Sequence, residues 1–320
     1  MTFKPGTELG RPNLEVFAET LLSLARADRN VVAVTSASRG SGKLVPYAAA
    51  VPEQLVEVGI AEQTLVGVAA GLASAGKTVF AVSPASFLTA RALEQIKNDV
   101  CYSDQPVTLV GISAGVSYGA LGSTHHSTHD LAALRALDNI TIIVPADNFE
   151  TTEAIKSAAK MTQPVYIRFG KRPLCHLHGP GTKFEPGKAL LVQDGTDVAF
   201  LATGETVQAA FMAAQELGKS GLSCRVLSMH TIKPLDVDTV ISAATECRAV
   251  VSVEEHSVFG GLGEACAAVL MQAGIHVPFK IVGFPDEYMV TGSQLEIFDH
   301  YGISAEGLAR TAQKVLSDGG

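Results

Sequence analysis

The stretch Leu55–Gly71, LVEVGIAEQTLVGVAAG, decides the fold. It opens as an apolar run of strand character that stops at Gly59, and a helix begins near Ala61. Glu62 falls in the first helical turn, where the positive end of the helix dipole favours a carboxylate. Gly59, Ile60, Ala61, Leu65 and Val66 surround it with small or apolar groups. A glutamate at a helix start is commonly just a cap, so the local pattern leaves cap and functional acid both open.

Outward from this strand–turn–helix unit, the same alternation recurs. Short β-branched runs predict strands at Val31–Thr35, Thr78–Val82, Val107–Ile112, Thr141–Val144 and Val165–Phe169. Amphipathic stretches predict helices over Asn13–Ala27, Glu62–Ala75, Ala90–Tyr102, Asp130–Leu137 and Asn148–Lys160, with Asn13 and Asp147 or Asn148 as caps. From Gly170 to Gly187 the period fails in a proline-rich stretch that reads as a linker. Alternation then resumes, with strands at Val198–Ala202, Cys224–Ser228, Ala249–Val253 and Phe279–Val282. Helices are expected over Thr206–Leu217, Asp236–Thr245, Leu262–Ala273 and Ser304–Leu316. The expected fold is therefore α/β, with two doubly wound, mostly parallel sheets. The expected division is 1–175, a linker 176–185, and 186–320.

Composition agrees with two packed domains in 320 residues. Apolar residues make up 47% and charged residues 18%, which disfavours disorder. A net charge of −8 disfavours a nucleic-acid surface. No apolar run approaches the roughly 18 residues of a membrane span, and MTFKPGTELGRPN has no apolar signal region. The cysteines, Cys101, Cys175, Cys224, Cys247 and Cys266, form no C-x-x-C pair and suit a reducing cytoplasm as free thiols.

Beyond periodicity, a series of ordered segments carries a resemblance. VGIAEQTLVGVAAGLA (Val58–Ala73) resembles the pyrimidine-binding signature of the transketolase family, a group that includes 1-deoxyxylulose-5-phosphate synthases and 2-oxo acid dehydrogenase β subunits. ASFLTARALEQIKNDVCY (Ala85–Tyr102) is similar to its aromatic helix start. STHHSTHDLAALRALDNITIIVPAD (Ser123–Asp147) resembles its T-H-Q segment. VYIRFGKRP (Val165–Pro173) is similar to its strand ending in basic residues. VLSMHTIKPLD and VVSVEEHSVFGGLGEA resemble its C-terminal domain.

The resemblance implies a thiamine diphosphate enzyme that moves a two-carbon ketol unit from a ketose to an aldose. It makes Glu62 the carboxyl that activates the cofactor's aminopyrimidine, with an apolar surround keeping its proton available. It places Phe87 and Ile60 against the pyrimidine. Arg91 is a weaker cofactor candidate, one residue later than in the synthase pattern. His125 becomes the active-site histidine and His126 a neighbouring contact in place of the usual Gln. This reading is preferred to a metal site built from His125, His126 and His129. A basic loop, SASRGSGK (Ser36–Lys43), offers Arg39 and Ser41 with Arg168 to an anionic phosphate or sulfonate end, although a solvated polar loop is an equal reading of that stretch. Lys171 matches a later basic position of the family.

Two positions depart from the family. Ser38 and Leu121 stand where acids are expected, which argues against an ordinary pentose phosphate substrate. The family's diphosphate-binding domain, marked by Gly-Asp-Gly and a later paired Asn that hold Mg²⁺, is also missing. The chain therefore resembles the C-terminal subunit of a split transketolase, with an N-terminal partner in an α2β2 assembly and no activity alone. Rival readings are an oxidative β subunit or decarboxylating synthase, and a non-catalytic scaffold. Glu254, Glu255 and His256 are expected to be structural, near a subunit interface, and Gly260-Gly261-x-Gly263 lacks the full dinucleotide fingerprint.

Overall fold

The computed structural model describes residues 3–318. Its elements run β1 (Leu9–Pro12), α1 (Asn13–Ala27), β2 (Val31–Thr35), α2 (Val45–Ala50), β3 (Leu55–Glu57), α3 (Glu62–Ser74), β4 (Thr78–Pro84) and α4 (Ala85–Arg91). Next come α5 (Leu93–Gln95), continued as a π-helix over Ile96–Tyr102, then β5 (Val107–Ile112), α6 (Asp130–Arg135), β6 (Thr141–Ile143), α7 (Asn148–Ala158), β7 (Val165–Phe169) and β8 (Pro173–Cys175). The second half contains β9 (Leu190–Gln193), β10 (Val198–Ala202), α8 (Thr206–Lys219), β11 (Cys224–Ser228), β12 (Thr231–Lys233) and α9 (Val237–Glu246). It ends with β13 (Ala249–Ser257), α10 (Leu262–Gln272), β14 (Phe279–Phe284), α11 (Gln294–His300) and α12 (Ala305–Asp318).

Two α/β sheets result, as the alternation predicts. The first has the order β12-β6-β7-β5-β4-β2-β3 and the second β14-β13-β10-β11-β9. All pairings within these two sheets are parallel except those of the edge strands β12 and β9, which are antiparallel. The central strands β2, β5, β7 and β10 are buried at every residue, which is why they read as unbroken apolar runs rather than alternations. One face of the first sheet packs on α1 and α7, the other on α3, α4 and α6. That second core continues across the domain boundary through Leu131, Leu134 and Val144 into Leu227, Met229 and Ile232.

Several local expectations are corrected. The helix expected over Ala90–Tyr102 begins at Ala85 and is interrupted at Ala92, whose φ of −109° lies outside the helical range. Pro84 fixes the entry to α4, so the helix starts directly after the strand. Asn13 does not cap α1; it is the first helical residue, and its Oδ1 accepts from Asn148 Nδ2 at 2.8 Å. Asp147 caps α7 by accepting from Glu150 N. The stretch read as a linker is fastened to the first domain. Pro173–Cys175 pairs with β1, Leu177 N donates to Asp147 Oδ2, and His178 Nε2 lies 2.7 Å from Glu150 Oε1. β12 had no sequence signal, because its three residues form a strand only by adding to the edge of the other domain's sheet.

Candidate active site

In a parallel sheet, the segments that leave the carboxyl ends of the strands gather on one edge, where ligands bind. The first sheet sends four relevant segments there. After β3 come Val58–Ala61 and Glu62, after β4 Phe87 and Arg91, after β5 the run to His125, and after β7 Lys171.

Glu62 is only 4% exposed, yet its carboxylate does not turn onto its own helix. Its two oxygens accept from Arg91 Nη1 at 3.1 and 3.0 Å. Arg91 is itself half-exposed and lies over the Phe87 ring, 4.5 Å from its centroid. The Phe87 ring meets His125 edge-on at 5.2 Å, and Tyr118 meets the same imidazole at 5.2 Å from another side. Lys171 Nζ sits 3.5 Å from the Tyr118 ring centroid. Glu62, Arg91, Phe87, His125, Tyr118 and Lys171 thus form one continuous string of contacts. The imidazole is fixed by two aromatic rings and by Thr124 Oγ1, 3.0 Å from Nδ1. Partial burial lowers the Lys171 pKa, so its ammonium is short of water and suited to an anion. Ile60 is 78% exposed on the turn before Glu62.

Two expected substrate contacts are corrected. Arg168 is buried between the domains, where Nη1 donates to Asp130 Oδ1 at 2.6 Å and Nη2 to the Glu255 carbonyl at 2.8 Å. Its charge is already matched, and it cannot reach an outside ligand. His126 is also buried; its Nε2 is paired with the Gly119 carbonyl at 2.9 Å, and burial lowers its pKa. It braces the turn that presents His125. On the exposed β2–α2 loop, Arg39 stands 3.6 Å from Glu57, and Ser41 Oγ donates to the Ser38 carbonyl. Ser38 is buried and donates to Ser36 O, while Leu121 is exposed on the turn before His125.

Tyr118, which the sequence reading did not name, joins this string of contacts through His125 and Lys171. Its only signal was an aromatic in the glycine-bearing loop after β5. Glu254 accepts from Leu262 N and Gly263 N, closing the start of α10.

The donor set suits the pyrimidine end of thiamine diphosphate. A buried carboxyl can meet a ring nitrogen, and an aromatic ring stands beside it. Among the described residues, no group of three or more His, Cys, Asp or Glu is arranged to hold a metal ion.

Comparison with known proteins agrees with this geometry. Residues 12–175 match the family described as "Transketolase, pyrimidine binding domain", and residues 187–308 match "Transketolase, C-terminal domain". The chain is 46% identical to one subunit of an apulose-4-phosphate transketolase from Phocaeicola vulgatus, over 92% of this chain and 95% of that one. It is 33% identical to a 6-deoxy-6-sulfo-D-fructose transketolase subunit from Clostridium sp. (strain MSTE9), over 94% and 93% of the two chains. A solved structure described as "Split gene transketolase, inactive beta4 tetramer" superposes with a TM-score of 0.87 at 35% identity, covering 96% of this chain and 99% of that one. Matched over nearly its whole length by relatives that are single subunits of divided enzymes, this chain belongs to the transketolase family, as a subunit of a thiamine-dependent ketol-transferring enzyme.

Proposed function

We propose that this chain supplies the pyrimidine-activating half of a split transketolase, with Glu62 as the activating acid and His125 and Lys171 facing the sugar. The observation that carries this reading is the direction of Glu62. A capping glutamate turns onto the free N–H groups of its helix, whereas this one is buried and faces Arg91, which in turn lies over Phe87.

When bound, thiamine diphosphate supplies an electron sink for breaking and remaking a carbon–carbon bond beside a carbonyl. Glu62 would hold the pyrimidine nitrogen through a hydrogen bond, the carboxyl that Arg91 now engages being the group that makes it. Phe87 offers the ring a face, and Ile60 an apolar contact. His125 Nε2 meets the sugar's oxygens, and Lys171 takes the place first assigned to Arg168 at the anionic end. Arg39 and Ser41 flank this edge from the neighbouring strand end. The diphosphate and Mg²⁺ fall to an N-terminal partner subunit in an α2β2 assembly. Support comes from the apulose-4-phosphate transketolase relatives, each of which is one subunit of its enzyme, and from the solved relative whose β tetramer is described as inactive. The five free thiols support a reducing, cytoplasmic setting.

Exposed Leu121 supports a sugar with fewer hydroxyls to read at that point. Apulose 4-phosphate is the first candidate donor and 6-deoxy-6-sulfofructose the second. The test combines the chain and its partner subunit with thiamine diphosphate, Mg²⁺ and a panel of ketoses, and follows two-carbon transfer to an aldose. Transfer from a phosphate- or sulfonate-bearing ketose is expected. Pyruvate decarboxylation without ketol transfer from any ketose overturns the proposal.

A further inference from the structure

The loop that presents His125 is held from the other domain. Glu255 lies buried near the end of β13, and its Oε1 accepts from the backbone N–H of Val116 at 2.8 Å. The same oxygen accepts from Gln294 Nε2 at 2.8 Å, and that amide also donates to Glu205 Oε2 at 2.8 Å. Val116 begins the segment that carries Tyr118 and His125. Asp130, which closes that segment, is gripped by Arg168, whose other nitrogen donates to the Glu255 carbonyl. The neck of the loop is a Gly115–Ser127 bridge in which Ser127 N donates to the Gly115 carbonyl.

The packing leaves no slack. Gly115 has φ +59°, and a Cβ there would overlap the Glu255 carboxyl. A Cβ on Gly170, the residue before Lys171, would overlap Glu205 Oε1. The two carboxyls of the second domain therefore seat the two first-domain segments that carry Tyr118, His125 and Lys171.

We propose that Glu255 is a positioning residue for ketol transfer, fixing the His125 loop across the domain interface through its hydrogen bond to Val116 N. This rests on the reading of His125 as sugar-facing. The surrounding charges are Glu205, Arg168, Asp130 beyond Arg168, and Arg172 near Glu205. Arg168 is already committed to Asp130, so the carboxyl pair lacks a full counterion, and burial together with Glu205 raises the Glu255 pKa to about 8. A carboxyl that keeps its proton is closely imitated by glutamine, which retains the acceptor oxygen. Leucine fills the space without an acceptor.

The test uses the complete two-subunit enzyme carrying Glu255→Gln or Glu255→Leu. The Gln variant is expected to keep kcat within about threefold of wild type, because the acceptor and shape survive. The Leu variant is expected to lose about 10²-fold in kcat through misplacement of His125. Its thiamine diphosphate affinity, read by circular dichroism, should be unchanged, and hydrogen exchange at Val116 should be faster. Should Glu255→Leu not fold, Gln294→Met removes the shared donor and is expected to speed exchange over residues 113–130. Wild-type kcat in the Leu variant despite fast Val116 exchange overturns the proposal, and so does a Gln variant as impaired as Leu. Unchanged exchange in both Leu and Met variants also overturns it. The exchange readings need no turnover, so absence of ketol transfer by the wild-type enzyme would count against the proposed function, not against this coupling.

Discussion

The two domains share an architecture and use it in opposite ways. In the first, the carboxyl ends of β3, β4, β5 and β7 carry half-exposed chemistry: Arg91, Phe87, His125 and Lys171 around buried Glu62. In the second, the corresponding ends of β10 and β13 carry Glu205, Glu254, Glu255 and His256, all buried and hydrogen-bonded within the protein. Strand-end carboxylates therefore do not mark a site by themselves. What distinguishes Glu62 is that its partner is a half-exposed side chain able to move, whereas Glu254 is tied to backbone N–H groups that cannot.

The largest expected effect sharpens that contrast. Glu62→Gln in the assembled enzyme should lower kcat by about 10²–10⁴-fold, the range of acid–base assistance, while circular dichroism of the chain stays native. Steady-state kinetics with a competent ketose decides it, and wild-type kcat would return Glu62 to a structural role.

Arg168 and Lys171 lie three positions apart on the same strand end and should fail differently. Arg168→Met leaves buried Asp130 without its cationic partner and should cost about 3–5 kcal/mol of stability, read by denaturant unfolding. Lys171→Met should leave unfolding unchanged and reduce kcat/KM for an anionic ketose by about 10- to 100-fold, as expected for a lost charge-assisted bond. A neutral analogue of the sugar should be affected far less.

Acidity provides a third comparison. Glu254 and Glu255 titrate at about 7 and about 8 because burial penalises their charged forms, with Glu205 adding to the penalty at Glu255. A carboxyl raised in the folded state keeps a proton that the unfolded chain has already lost. Its contribution to stability is therefore whole below the unfolded value of 4.5 and declines as pH rises through the folded one. Thermal unfolding should move to lower temperature between about pH 5 and 8, and Glu255→Gln should flatten that slope. An equal slope in the variant would show that Glu255 is not the group titrating. The smallest effect is expected at Arg39. Its pair with Glu57 is exposed and 3.6 Å long, so Arg39→Ala should change stability by less than about 1 kcal/mol. KM for the anionic ketose is the sensitive measurement there, and an unchanged KM would remove Arg39 from the site.

Much of the fold was readable because its signals are local. The strands Val31–Thr35, Val107–Ile112, Val165–Phe169, Val198–Ala202 and Cys224–Ser228, buried at nearly every residue, keep the bounds their apolar runs predict. The start of α3 was equally clear, because turn, apolar period and acid coincide at Gly59–Glu62. Of the site, Glu62, Phe87, Arg91 and His125 were named from motifs, and the fold brings them into contact. Arg168, His126 and Tyr118 were misjudged or missed, because a basic, imidazole or phenol side chain has no sequence signal for the direction it faces.

By itself, the sequence determined the two α/β layers, the family, and the acid at the start of α3, since each follows from period, spacing or motif. Only the tertiary structure decided which charges are spent inside the protein. Arg168 meets Asp130 across 38 positions of chain, and Glu255 meets Val116 across 139. The second pairing depends on how two separately wound sheets pack together, and burial on that packing turns some strand-end charges into structure and leaves others open to solvent.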